Sequence, residues 1–395
     1  MPGAPPHIGL NLIFLVPGET GGMEVAAREL LPELVAQAPR GTRFTAFINR
    51  EAAEAGGPWS ELTPAVTVPV RARNRAQWVL GEQMLLPPLA ARRRVGLLHS
   101  LASTAPLWGP FRRVVTVHDL IYARFPDAHA GIRDKGMRVL VPGGARRADR
   151  VIADSESTRR DLLELPGLSA ERIDVVPLGL GAPRRADPLP EGELRARLSL
   201  GDRPVLLSLS AKRPHKNLIA LIGALARIPP DRRPLLVLPG YRTAHEDELR
   251  ARAASSGLED DVRFPEWISA EELEGLWSIA RAFVFPSLYE GFGLPVLEAM
   301  ARGVPVACSN SSSLPEVAGD AALLFDPCSE QEIAEAIQRL LDDGALTQGL
   351  RERGLARAAK FTWERTARLT LEVYAKVLGP GVLPAGGDGA SSAPE

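Results

Sequence analysis

The stretch AFVFPSLYEGFGLPVLEAMARGVPV, residues 282–306, leaves this chain few folds to choose from. A short apolar run, Ala282-Phe283-Val284-Phe285, stops at Pro286 and Ser287. A glycine-rich loop follows, Glu290-Gly291-Phe292-Gly293-Leu294, and then apolar residues at helical spacing. Pro295 falls in the first turn of that helix, where the N–H it lacks would have no helical partner, and Gly303 stops it. A second apolar run begins at Val304. Strand, loop, helix and strand in so little sequence describe a crossover between parallel strands, so the fold class is α/β.

The same alternation extends in both directions. Strands are expected at 8–16, 43–48, 66–70, 96–99, 114–117, 150–153 and 173–176, then at 205–210, 235–238, 262–264, 282–285, 304–307 and 322–325. Helices are expected at 23–36, 78–92, 155–164, 215–227, 244–256, 270–280, 295–302 and 330–342; Pro32 marks a kink or a later start in the first of them. A Pro/Gly-rich linker at 177–191 separates two such halves. The expected division is therefore a first α/β domain over 1–186 and a second over 191–361. A last helix covers 362–378. A Gly/Ala/Pro/Ser-rich tail, 379–395, is expected to be disordered.

At 395 residues, the length suits two or three domains of ordinary size. No apolar run approaches the roughly 20 residues of a membrane span. The start lacks a basic region ahead of its first strand, so no signal peptide and a cytoplasmic location are expected. Cys308 and Cys328 make no metal or redox pattern, and no Asp-x-Asp triplet occurs. Residues 1–186 carry 24 Lys and Arg against 18 Asp and Glu, whereas the rest carry 23 against 30. A basic first half is either ordinary solvated surface or a face for an anionic acceptor or membrane surface, with peripheral contact as the functional form. Few aromatics lie among its arginines, which argues against single-stranded nucleic acid.

Free N–H groups of a glycine loop and the positive end of a helix dipole converge on one point, which suits an anion. Glu290 in the loop and Glu298 about one turn into the helix bracket that point. Two acceptors beside a phosphate cradle fit a diphosphate flanked by hydroxyls, as in a nucleotide sugar. Cations are expected from 208–217, SLSAKRPHKN, at the end of another strand, with Lys216 opening the following helix. Gly21 and Gly22 follow the first strand, where a backbone without side chains lets a ligand approach. His118 follows the strand at 114–117.

EGFGLPVLE, within FPSLYEGFGLPVLEAMARGVPV and followed by SSSLPEVAGDAALLFDP, resembles the E-x7-E signature of retaining glycosyltransferases of family 4. That family has the GT-B fold, two Rossmann-like domains with parallel sheets facing across a cleft and a final helix returning to the first domain as a strap. The resemblance implies transfer of a hexose from GDP-mannose or a UDP- or dTDP-hexose to a saccharide, lipid-linked or small-molecule acceptor, without metal or other cofactor. It implies that Glu298 accepts the ribose hydroxyls, that Glu290 touches the transferred sugar, and that the backbone of Gly291, Phe292, Gly293 and Leu294 cradles the distal phosphate. Lys216 matches the family's phosphate-binding lysine. The arginine usual a few residues upstream is absent; Ser208 or Ser210 stands there, and Arg213 or Lys212 is left to substitute. Trp267 and Ile268 would flank the base, His118 would act near the donor sugar, and Gly21 and Gly22 would line the cleft. A nucleotide-sugar epimerase and a non-catalytic sensor are the competing readings. The first needs an acid/base pair around the sugar and no acceptor site; the second needs no cation beside the phosphates.

Overall fold

The computed structural model describes residues 5–125, 132–181 and 186–379, with the side chains of 132–135 excepted. Part of the expected linker and, beyond Gly379, the expected tail lie outside the described residues. The chain divides into two compact units: residues 1–181 with 362–395, and residues 182–361.

In unit 1, seven strands form one sheet: β1 (His7–Leu12), β2 (Arg43–Ile48), β3 (Ala65–Thr67), β4 (Leu97–Ser100), β5 (Arg112–Val117), β6 (Arg150–Ala153) and β7 (Ile173–Val175). Their order is β3-β2-β1-β4-β5-β6-β7, and every pairing is parallel. The central strands β1 and β4 are buried at nearly every position, as in parallel sheets covered on both faces. The helix Gly22–Gln37 runs through Pro32 and buries Ala26, Ala27, Leu30, Leu31 and Leu34 in the core. The expected helix at 78–92 instead has three parts: α-helix Arg75–Leu80, a π-helical turn Gly81–Leu85, and α-helix Leu86–Arg92. Pro87 and Pro88 explain the change, because neither has an N–H to return to the preceding turn.

The last helix, Trp363–Leu378, belongs to unit 1 and supplies Trp363, Ala367, Val373 and Tyr374 to its core. The chain's return is closely fitted. Leu180 bridges Thr362, and a Cβ on Gly179 would lie 2.3 Å from the Trp363 nitrogen, so only glycine fits. The buried His99 ring receives or gives hydrogen bonds at both nitrogens, Nδ1 to Tyr374 Oη at 2.7 Å and Nε2 to Thr116 Oγ1 at 2.8 Å. Burial, with the His118 charge nearby, pushes its pKa down to about 3, so the ring is neutral.

Unit 2 holds six parallel strands: β8 (Val205–Leu207), β9 (Leu235–Val237), β10 (Val262–Arg263), β11 (Ala280–Phe285), β12 (Val306–Ser309) and β13 (Ala322–Phe325). Their order is β10-β9-β8-β11-β12-β13. β8 stops three residues earlier than its apolar pattern suggests, so residues 208–210 join the loop.

Tyr374→Phe keeps the ring but leaves buried His99 without a partner at Nδ1. It is expected to lower the stability of unit 1 by about 1–3 kcal/mol, read by chemical denaturation.

Candidate functional site

The strand order of unit 2 reverses between β8 and β11, which pair side by side. Crevices outside the carboxyl ends of strands at such a reversal are where open α/β sheets bind ligands. Two loops leave this point, residues 208–217 after β8 and 286–293 after β11. They are tied at the backbone: the His215 carbonyl accepts from the Leu288 N–H at 2.8 Å and from Ser287 Oγ at 3.1 Å.

Side chains join them as well. Lys216 Nζ lies 2.6 Å from Glu290 Oε1, with both side chains largely buried, and 5.4 Å from the Phe285 ring centroid. Lys216 does not open the helix itself. It ends a 3₁₀ turn, Pro214–Lys216, and Asn217 then adopts a left-handed conformation (φ 55°) before the helix Leu218–Ala226. Asn217 Nδ2 donates to the carbonyls of Pro286 and Pro327, which fixes the turn that aims the lysine.

The glycine loop is buttressed from below by three consecutive serines. Ser312 Oγ accepts from the Glu290 N–H at 2.8 Å, and Ser313 Oγ donates to the carbonyls of Glu290 and Phe292. Ser311 Oγ donates to the Leu288 carbonyl. Phe292 turns its ring inward against Phe361, at 5.8 Å between centroids. Gly293 takes φ 118°, and a Cβ there would lie 2.7 Å from Leu314 Cδ2. Leu294 and Pro295 then begin the helix Leu294–Ala301. Glu298 sits half-buried on that helix, about one turn from its start. The roles of Ser312 and Ser313 were not read from the sequence; three adjacent serines before a helix were the available signal.

Lys212, one of two proposed substitutes for the missing arginine, is a correction. Its side chain is fully buried, 3.1 Å from the equally buried Glu246, and it also donates to the Gly240 carbonyl. Its charge is spent in holding the β8 and β9 loops together. Arg213 remains half-buried at the head of the 3₁₀ turn. The buried hydroxyls of Ser208 and Ser210 have no hydrogen-bond partner, so two donors stand unused at the end of β8.

Trp267 is 85 % exposed and Ile268 half-buried, so the tryptophan is not core packing. Tyr241, an aromatic the sequence reading passed over, is 55 % exposed in the neighbouring loop. The Gly240 N–H donates to the Pro265 carbonyl at 3.1 Å, which ties these two loops together.

In unit 1, Gly21 has φ 63°, and a Cβ on Gly21 or Gly22 would meet nothing within 4 Å. His118 spends both ring nitrogens inside its own unit, Nδ1 on Asp154 Oδ2 and Nε2 on the Leu101 carbonyl, each at 2.7 Å. Burial alone would lower its pKa. The charge of Asp154 and the hydrogen bonds to it and to Leu101 outweigh that and raise it to about 9, so the ring is a cation. Among the described residues no cluster of three or more His, Cys, Asp or Glu is placed to hold a metal ion.

Two family models match the chain, "Glycosyl transferases group 1" over residues 191–357 and "Glycosyltransferase Family 4" over residues 20–181. O-antigen chain mannosyltransferase B of Escherichia coli is 34 % identical over 269 residues, 67 % of this chain and 70 % of that protein. Serotype-specific mannosyltransferase WbdA of Escherichia coli is 32 % identical over 279 residues, 68 % of this chain but only 34 % of WbdA. Among solved structures, sucrose-phosphate synthase from Thermosynechococcus elongatus superposes with a TM-score of 0.74 at 23 % identity, over 94 % of this chain and 99 % of that one.

The His118 pKa is raised above its unfolded value, so its contribution to stability is full below about pH 6.5 and is lost as pH rises through about 9. Stability measured across that window is expected to fall less steeply in His118→Asn than in the parent; equal slopes would contradict the assignment.

Proposed function

The chain belongs to the group 1 glycosyltransferases of family 4, enzymes of GT-B fold, and we propose that it transfers mannose from GDP-mannose to a saccharide or lipid-linked acceptor with retention of configuration. The observation that carries the donor half is the meeting of Lys216, Glu290 and the buttressed amides of 290–294 at the strand reversal of unit 2. Mannose is taken from the names of the two Escherichia coli relatives, and the guanine nucleotide is the usual carrier of that sugar.

In this reading the diphosphate lies against the amides of Gly291 to Leu294, at the amino end of the helix Leu294–Ala301. Lys216 exchanges part of its pairing with Glu290 for a phosphate oxygen, which frees Glu290 to accept from sugar hydroxyls. Arg213 and the unpaired Ser208 and Ser210 hydroxyls extend the same donor set. Glu298 takes the ribose hydroxyls, and Trp267 with Ile268 flanks the base. Gly21 and Gly22 leave open backbone for a ligand on unit 1.

The bond from the anomeric carbon to the phosphate oxygen breaks as the acceptor oxygen bonds to the same face. The acceptor proton passes to the departing phosphate oxygen, and the nucleoside diphosphate leaves. Little covalent work falls to the protein, so catalysis rests on holding the developing phosphate charge and the acceptor. The lysine and amides supply that stabilisation, and no metal is assigned. His118, already a paired cation, orders its own unit in this scheme and takes no proton. An epimerase is disfavoured by the extent of the match around EGFGLPVLE to the glycosyltransferase family. A sensor is disfavoured because Lys216 is aimed at the loop.

Lys216→Ala is expected to lower kcat by roughly 10²–10³-fold, the loss seen when one donor to a developing anion is removed. Glu298→Ala is expected to weaken donor binding by about 10–100-fold, from about 1.5–3 kcal/mol of charged hydrogen bonding, with the acceptor KM little changed. Unchanged kinetics in both variants would remove the site. The parent enzyme is expected to keep its activity in excess chelator; loss that Mg²⁺ restores would remove the metal-free reading. Thermal shift with GDP-, UDP- and dTDP-sugars reads the donor base, with the largest rise expected for GDP-mannose.

A further inference from the structure

A backbone amide binds phosphate only if its N–H points at the oxygen, and the peptide plane sets that direction. Ser313 Oγ donates to the Phe292 carbonyl at 2.6 Å, so the trans peptide turns the Gly293 N–H to the opposite side, away from Ser313. The same hydroxyl donates to the Glu290 carbonyl at 3.0 Å. Phe292 is therefore held at its carbonyl by Ser313. Its ring is held separately by Phe361, edge to face, with 5.8 Å between centroids and 72° between planes. Both rings are buried.

Phe361 lies far along the chain from the loop it touches, and its own place is fixed. Its N–H donates to the Ala358 carbonyl at 3.0 Å, in a turn just past the helix Gly344–Ala358. That helix packs on the helix Leu294–Ala301: a Cβ on Gly354 would lie 3.3 Å from Met300 Cγ. Arg357 sets its guanidinium over the Phe361 ring, 5.0 Å from the centroid. Its Nε donates to the Val317 carbonyl at 2.9 Å, and Nη2 donates to the Glu316 carbonyl. Those carbonyls lie at the end of the helix Leu314–Ala318, which begins directly after Ser313 and puts Leu314 against Gly293. The contacts close a circuit: Phe292, Ser313, the helix Leu314–Ala318, Arg357, Phe361 and back to Phe292. Every link lies within unit 2.

We propose that Phe361, with Arg357 behind it, is a positioning residue for the phosphate cradle: it fixes Phe292 so that the Gly293 N–H is aimed at the distal phosphate of the donor. Neither residue touches the ligand in this scheme. The inference rests on the reading of residues 290–294 as that cradle, and adds the side chains that set its geometry. A hydroxyl alone would let the Phe292 peptide rock about its hydrogen bond, and the pinned ring on the other side of Cα removes that freedom. Arg357 suits its place because it offers a flat face to the ring and two N–H groups at fixed spacing to two carbonyls, which a lysine does not. Simple packing would be served by any apolar side chain of similar volume at 361. Positioning instead predicts a loss confined to the distal phosphate.

Phe361→Leu keeps a buried apolar side chain without the ring, and Arg357→Lys keeps the charge without the fork. Affinities for GDP and GMP, with UDP and UMP alongside, are measured by calorimetry on the full chain without acceptor. The parent is expected to bind the diphosphate roughly 10–100-fold more tightly than the monophosphate of the same base, because the added phosphate takes charge-assisted hydrogen bonds. Phe361→Leu is expected to cut that ratio by roughly five-fold or more and Arg357→Lys by about two- to five-fold, with monophosphate affinity at the parent value. In the ligand-free proteins, hydrogen exchange at Phe292 to Leu294 is expected to quicken in both variants while the strand Ala280–Phe285 keeps its protection. Parental ratio and parental exchange in Phe361→Leu overturn the proposal. So does an affinity loss shared equally by mono- and diphosphate, the mark of general loosening. A parent that binds both nucleotides equally removes the cradle instead, and the exchange measurement, which uses no ligand, still decides whether Phe361 orders the loop.

Discussion

The 2.6 Å ion pair between Lys216 and Glu290 joins loops from two adjacent strands whose connections depart in opposite directions along the sheet. Such a pair is costly to bury and worthwhile only where its geometry is held. Here the holding is done by neutral groups. Asn217 fixes the turn before the lysine, and Ser312 and Ser313 fix the peptide units on both sides of the glutamate. Because each buttress is a hydrogen bond to backbone, the loop keeps its shape if the lysine turns toward a phosphate. That separation of support from charge is what lets one lysine serve both as partner to Glu290 and as ligand to an anion.

A second pair, Lys212 with Glu246, does a different task with the same residue types. Both side chains are fully buried, and Arg250 also reaches Glu246 at 2.6 Å. Desolvation raises the Glu246 pKa, but hydrogen bonds from Arg250 and Lys212 outweigh it and hold the carboxyl below its ordinary range. The pair welds the loop after β8 to the loop after β9, where Gly240 meets Pro265 and the exposed Tyr241 and Trp267 stand. Lysines four residues apart thus divide into one that shapes the loop and one that faces its mouth.

The glycine loop and its flanking strand and helix were legible because their signals are local: an apolar run, Pro295 in a first turn, Gly293 where φ is positive. The parallel α/β class followed from the same alternation. What sequence did not reveal was set by distant contacts. Lys212 read as a substitute for the missing arginine until Glu246, more than thirty residues on, enclosed it. Ser312 meets Glu290 across a helix and a strand. The π-turn at Gly81–Leu85 had a signal in Pro87-Pro88, but the Gln83 carbonyl that they leave without a helical N–H is taken by the Trp108 indole, more than twenty residues on. His118 illustrates the reverse case: its place after β5 was read correctly as the end of a strand, whereas its charge depends on Asp154 at the end of the next one.

Hydrogen exchange at the backbone amides, followed with and without saturating nucleoside diphosphate, addresses the account most directly. Amides of Gly291 to Leu294 and the turn Pro214–Lys216 are expected to slow together when the nucleotide binds, because the phosphates occupy the point those groups share. Saturation of the protein with slowing confined to other segments, and these amides exchanging as before, would contradict it.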